Sequence, residues 1–244
     1  MKKNKKPLSI GFVIAYCIAF AIFAAGFAMV LYPLIGTHEE AQQMEQTIQT
    51  FVSEAKSTDT TDRTPKIDPE LRGKMQIYNE EIYEEGQSNL KDPFSYEQPG
   101  IDLTAYGLTE NVVGTIEIPR LKLTLPIYLG ATKENMKHGA VNLGETSLPI
   151  GGENTNCVLA AHRGTTKAEM FRNIQNIEVG DEIYITNLWE TLTYRATEIK
   201  IIKPSDIKEV LIQPGRDLLT LITCHPYLHN YQRYVVYCER VTQP

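Results

Sequence analysis

The chain has 244 residues, 42% of them hydrophobic, which is enough for one sizeable core with accessory segments. Its formal net charge of −6 is unevenly spread: Lys2, Lys3, Lys5 and Lys6 are basic, residues 7–35 carry no charge, and residues 36–244 are acidic on balance. An acidic body of this kind excludes nucleic acid as the expected partner.

Residues 1–7 read as a basic cytoplasmic tail, and from Leu8 to Ile35 no side chain is charged. As a helix, residues 8–35 would reach about 42 Å at about 1.5 Å per residue, against a hydrocarbon core of about 30 Å, so they span a bilayer with tilt. The lysines before the run and Glu39 and Glu40 after it put the amino terminus in the cytoplasm and the rest of the chain outside the cell. Ala24, Gly26 and Ala28 would suit a signal peptidase, but a secretory apolar core is usually about 7 to 15 residues, so an uncleaved single-pass anchor in the cell membrane is expected.

Residues 36–68 divide into a juxtamembrane helix and a linker. Ala41, Met44, Ile48 and Phe51 recur on one helical face, a helix expected to carry the body away from the lipid, whereas Ser53 to Lys66 is too polar to offset the entropy of ordering. In residues 69–104, Asp68 and Pro69 form a helix start, and Leu71, Met75, Tyr78 and Ile82 keep the helical period as far as Gly86. Beyond it Lys91-Asp92-Pro93-Phe94 contains an Asp-Pro turn that proline stiffens.

Residues 105–244 change to short runs rich in Val, Ile, Thr and Tyr, separated by Gly, Pro and Asn. The pattern predicts strands over Val113–Ile118, Leu123–Tyr128, Cys157–Ala161, Glu182–Thr186, Thr191–Ile202, Leu218–Thr223 and Tyr231–Val241, with a further one near Val141. Short helices are predicted at Lys133–His138 and Ala168–Ile174. They are too few to cover both faces of a parallel sheet, so an antiparallel barrel or sandwich is expected.

Four cysteines are present, and Cys17 lies in the apolar run, which leaves Cys157, Cys224 and Cys238 as an odd set with at least one thiol free or paired between chains. Cys157 and Cys238 sit inside apolar strands, where a thiol behaves as a small hydrophobe. Cys224 instead closes the run Leu218 to Thr223. A thiol there is only slightly ionised at neutral pH and needs a base or a cationic neighbour to become a nucleophile. His162, delivered by Val158 to Ala161 to a turn at Arg163 and Gly164, is the best-positioned base. His38 borders the membrane run, His138 reads as solvated, and His225 points to the face opposite Cys224. His229, in the polar turn after it, is the minor candidate. Arg233, on an alternating strand with Val235 and Tyr237, is either a snorkelling side chain or a fixed charge facing an acyl oxygen. The acidic residues and histidines show no metal-ligand spacing, so no metal and no cofactor are expected.

The string TLITC ending at Cys224, then HPY and Arg233, resembles the active-site signature of sortases, the membrane-anchored cysteine transpeptidases of Gram-positive bacteria. Residues 125–164, LPIYLGATKENMKHGAVNLGETSLPIGGENTNCVLAAHRG, resemble the histidine-bearing segment of the same family. The resemblance implies a mostly β chain: an eight-stranded sortase-type barrel with short helices, preceded by N-terminal helices and a transmembrane helix. It also implies Cys224 as nucleophile, His162 as acid and base, and Arg233 as the oxyanion or substrate-positioning residue. The implied substrates are pilin or surface proteins bearing an LPxTG-like motif, cut between Thr and Gly and passed to an amine. Asp92, Pro93 and Phe94 resemble the lid of class C sortases, which polymerise pilins through a lysine. The resemblance thus implies Phe94 against Cys224 and Asp92 near Arg233. Phe94 stands where tryptophan is common, and no second hydrophobic segment follows the barrel before Pro244. The alternatives are a housekeeping sortase that uses a cell-wall precursor as its amine acceptor and, in a different class, a non-catalytic membrane-tethered receptor or adhesin.

Overall fold

The computed structural model describes residues 10–57, 70–90, 101–164 and 169–241, the side chains of residues 30–39 excepted. Helix α1 runs Ile10–Ser57 without interruption. Its first part, Ile10–Met29, is long and apolar enough to cross a membrane and buries none of that surface in the protein. The change from apolar to polar sequence near Gly36 alters what surrounds the helix, not its backbone. Farther on, Thr47 and Phe51 are buried, and Met44, Val52 and Ala55 pack against the core. The helix therefore docks on the body along this stretch. Ser53–Ser57, expected in the linker, form the last turn of α1, because Val52 and Ala55 still have core to pack against.

Helix α2, Leu71–Glu84, buries Leu71, Met75, Asn79 and Ile82. Glu70 occupies its N-cap position without a side-chain bond, and the expected Asp68 cap lies outside the described residues. Two polar side chains dock this element. Asn79 donates to the Leu148 carbonyl at 3.4 Å and accepts from the Leu148 amide at 2.7 Å. Just past α2, Gln87 donates to the Glu145 carbonyl at 2.8 Å and accepts from the Ile212 amide at 2.6 Å. Asn79 thereby satisfies buried backbone groups that would otherwise cost about 1–3 kcal/mol, and Gln87 does the same for half-buried ones.

The body is a closed barrel of eight strands: β1 Val112–Ile118, β2 Leu123–Leu129, β3 Ala140–Asn142, β4 Thr155–Ala160, β5 Glu182–Asn187, β6 Thr191–Ile202, β7 Asp217–His225 and β8 Gln232–Arg240. They are hydrogen-bonded in the order β1-β2-β3-β4-β7-β8-β6-β5, and β5 closes on β1. The pairing is mixed, not antiparallel throughout: β2 with β3 and β4 with β7 are parallel. Short α3, Asn135–His138, lies on the return from β2 to β3, and β5 and β6 intervene between β4 and β7. Neither crossover carries more than a single turn of α-helix, so the long helical signal of a parallel crossover is missing. The helix expected at Ala168–Ile174 is not formed. Met170–Asn173 make turns and Ile174–Asn176 a single 3-10 turn, anchored by fully buried Phe171 and Ile174. Inward-facing Ile116, Leu125, Ile127, Leu159, Leu219, Leu221 and Val236 fill the interior.

Candidate active site

Three adjacent strands, β4, β7 and β8, set the geometry. Strands β7 and β8 are antiparallel, and their register makes Cys224 and Arg233 direct cross-strand partners, which places both side chains on one face. Strand β4 runs parallel to β7 with Ala160 opposite Ile222. The ladder continues one step through the Ala161 amide to the Ile222 carbonyl at 3.3 Å. Two residues on from Ala160 and Ile222 come His162 and Cys224, so thiol, imidazole and guanidinium are brought to one end of the barrel on neighbouring strands.

Both threonines of TLITC are fully buried and act as cross-strand ties. The Thr223 hydroxyl donates to the Ala161 carbonyl at 2.7 Å, and the Thr220 hydroxyl to Asn156 Oδ1 at 2.9 Å. They fix the β4–β7 register on which the His162–Cys224 juxtaposition depends. The turn after His162 is equally constrained. The Phe171 amide donates to the His162 carbonyl at 3.0 Å. Gly164 has φ +86, and a Cβ there would meet Arg172 Nε at 2.6 Å and the Glu169 carbonyl at 2.8 Å, so only glycine fits.

Arg233 does not snorkel: it is 5% exposed, and its Nη1 donates to the carbonyls of Asn230 at 2.7 Å and Gln232 at 2.9 Å. Carbonyl oxygens hold the guanidinium in place and carry no net charge. Burial pushes the His162 pKa below the ordinary histidine value and favours the neutral imidazole, the form that accepts a proton. Cys224 is half-exposed and in no disulfide, whereas Cys157 and Cys238 are buried and burial pushes both thiols far up, out of reach of ionisation.

The remaining histidines lie elsewhere. His138 ends α3, half-buried, with Nε2 3.1 Å from Glu134 Oε1, so it is not the solvated loop residue expected. His229 is exposed, its ring 5.8 Å from that of Tyr231. His225 points away from the Cys224 face, as strand alternation requires, and its Nδ1 lies 2.9 Å from Arg163 Nη1. The sequence marks Arg163 only as a turn residue. In the fold its Nη1 also donates to the Cys224 carbonyl at 3.2 Å and its Nη2 to Gln175 Oε1 at 2.8 Å, and the guanidinium stacks 5.3 Å from the centre of the Tyr234 ring. The one sequence signal for it is an arginine directly following the strand-end histidine. Asp92, Pro93 and Phe94 lie outside the described residues, as does the side chain of His38.

Comparison with known proteins agrees with this arrangement. Residues 116–241, more than half of the chain, match the family model of the Sortase domain. Sortase A of Bacillus anthracis is 31% identical over 156 residues, 63% of this chain and 72% of that protein. Among solved structures, Sortase C1 of GBS Pilus Island 1 superposes with a TM-score of 0.70 at 33% identity, covering 82% of this chain and 93% of the other. Sortase C of Streptococcus pneumoniae superposes with a TM-score of 0.62 at 29% identity, covering 80% and 97%. An eight-stranded closed barrel, a family match spanning β1 to β8 and class C structural neighbours together mean that this chain belongs to the sortase family and is a cysteine transpeptidase.

Proposed function

We propose that this protein is a membrane-anchored pilin-type sortase, with α1 as a single-pass anchor, the amino terminus in the cytoplasm and the barrel outside the cell. The observation that carries the chemistry is the register across β4, β7 and β8, with Cys224 opposite Arg233 and His162 two residues beyond the Ala160–Ile222 pair. Neutral His162 takes the Cys224 thiol proton, the thiolate attacks the carbonyl carbon of Thr in an LPxTG-like motif, and the Arg233 guanidinium stabilises the oxyanion that develops. Collapse of that intermediate breaks the Thr–Gly C–N bond, and protonated His162 gives its proton to the departing glycine amine, leaving a thioester. A pilin lysine amine then attacks the thioester carbonyl, neutral His162 takes the amine proton, the C–S bond breaks, and an isopeptide links two pilins. An amine outcompetes water only where the site holds it in position.

Asp92, Pro93 and Phe94 are proposed as a lid, with Phe94 over Cys224 and Asp92 paired with Arg233. A lid closed about ten to one would weaken apparent substrate binding by only about 1.4 kcal/mol, so it regulates access at small cost. Replacing Asp92 and Phe94 together with Ala should raise the rate at which a small thiol reagent labels Cys224, and unchanged labelling would rule the lid out.

The class C neighbours, one from a pilus island, favour a lysine acceptor. The 31% identity to a protein named Sortase A motivates the second reading, attachment to a cell-wall precursor amine. Incubating the protein with a sorting-motif peptide, a pilin-lysine peptide and a wall-type amine, followed by mass analysis, decides between them. A lysine isopeptide supports the proposal, and exclusive use of the wall-type amine refutes it.

A further inference from the structure

Where β4 ends, the parallel ladder ends with it. The Ala161 amide bonds the Ile222 carbonyl at 3.3 Å, the Thr223 hydroxyl adds one tie to the Ala161 carbonyl, and the chain then turns at Gly164. His162 lies just past this last tie to β7, with its carbonyl held by the Phe171 amide at 3.0 Å within its own turn, on a chain that is leaving the sheet. A base must be held to a fraction of an ångström to be effective, and a side chain that spans from this turn to β7 adds to that hold.

Arg163 is placed to do so. One terminal nitrogen, Nη1, reaches both the Cys224 carbonyl at 3.2 Å and His225 Nδ1 at 2.9 Å, while Nη2 is held by Gln175 Oε1 at 2.8 Å. Tyr234, on β8, supports the guanidinium at 5.3 Å from the ring centre. Consecutive residues at a strand end leave on opposite faces. His162 is thus level with Cys224 on one face, and Arg163 meets His225 on the other. We infer that Arg163 is a positioning residue of the transpeptidation, clamping the turn that carries His162 to the strand end that carries Cys224. This rests on the roles proposed above for Cys224 and His162.

The clamp needs a planar fork. Lysine keeps the charge but has one nitrogen, which cannot reach the Cys224–His225 pair and Gln175 in the same geometry. It also needs a neutral His225 that presents Nδ1 as an acceptor. Burial first, and the Arg163 charge second, lower the His225 pKa and favour that form.

The test uses the full-length protein in detergent, with Arg163→Lys and Arg163→Gln. Three quantities are measured: kcat and KM for thioester formation with a sorting-motif peptide, the pH midpoint of iodoacetamide alkylation at Cys224, and the melting temperature. Both variants should lose kcat by about tenfold to hundredfold with KM little changed. Arg163→Lys should keep the alkylation midpoint, and Arg163→Gln should move it upward. Wild-type kcat in Arg163→Lys would overturn the clamp, since charge alone would then suffice. A loss of kcat that merely tracks a fall in melting temperature, with KM rising alongside, would reduce Arg163 to a general structural role. If the unaltered protein forms no thioester, the proposed function fails instead, and an alkylation midpoint identical in all three proteins would then dispose of the Arg163 inference separately.

Discussion

The β4–β7–β8 ribbon has two ends built from similar residue types and used differently. At the Asp217 end, charged groups are held by partners on neighbouring elements, hydroxyls and an amide for Asp217 and a carboxylate for Arg216. Asp217 accepts from the Gly152 amide at 3.0 Å, the Tyr194 hydroxyl at 2.8 Å and the Thr155 hydroxyl at 3.3 Å. Beside it the Arg216 fork holds Glu239 through two bonds, at 3.1 and 2.9 Å. At the Cys224 end, Arg163 reaches the Cys224 carbonyl and Gln175, and Arg233 donates to the carbonyls of Asn230 and Gln232. A carboxylate within the same strand pair ties a guanidinium to the framework, whereas backbone carbonyls fix its position beside the reactive thiol. One end is built for cohesion and the other for chemistry.

Substitutions at each end should separate these uses. Cys224→Ala should abolish acyl transfer while the melting temperature stays near that of the parent, and any surviving turnover would remove Cys224 as nucleophile. Arg233→Ala, measured in the same peptide assay, should lower kcat by about a hundredfold to a thousandfold, the usual cost of losing one oxyanion donor.

At the other end, Asp217→Ala leaves the buried Tyr194 hydroxyl without its acceptor and should cost about 1–3 kcal/mol in denaturant unfolding, with activity per folded molecule unchanged. Loss of activity in excess of unfolding would mean that the two ends are coupled.

Acid should act on the Cys224 end through its histidines. Burial lowers the folded pKa of both His162 and His225, so the unfolded chain takes up protons at a higher pH than the folded one. Their contribution to stability is therefore complete above the ordinary histidine value of about 6.5 and is lost as pH falls through the lower folded values. Unfolding midpoints measured from pH 7.5 to 5 should decline, and replacing both histidines with Gln should flatten that decline. Smallest of all, Arg120→Ala removes a surface guanidinium that holds Asp181 at 2.8 and 2.7 Å and should move the unfolding midpoint only slightly, read from the same unfolding curves.

How far the sequence reveals the molecule depends on the range of the forces involved. Strand β6 is legible to the residue at Thr191–Ile202, because a run rich in Thr, Ile and Tyr bounded by turn residues is a local signal. The parallel β4–β7 pair is not, since register between strands separated by β5 and β6 leaves no periodicity to read. Cys224 and Arg233 can be picked out by their order and by the alternation around them. Arg163 cannot, because its importance arises only once Cys224, His225, Gln175 and Tyr234 converge on it. Asn79 and Gln87 look like surface residues for the same reason: their buried partners are backbone groups distant along the chain. The switch in polarity near Gly36 leaves α1 unbroken. The helix continues because its polar half finds the barrel to bury against.

That unbroken helix has a mechanical consequence. From Met29 to buried Phe51 it advances about 33 Å at about 1.5 Å per residue, so with its apolar part seated in a bilayer as proposed, the barrel rides on a stiff post and not on a string. Height and heading of the reactive mouth are then set by how the post leans in the lipid. Partners diffusing in the same sheet would meet that mouth in a narrow band of orientations, and a flexible insertion near Gly36 should widen the band and slow transfer between membrane-bound partners while leaving soluble peptides unaffected.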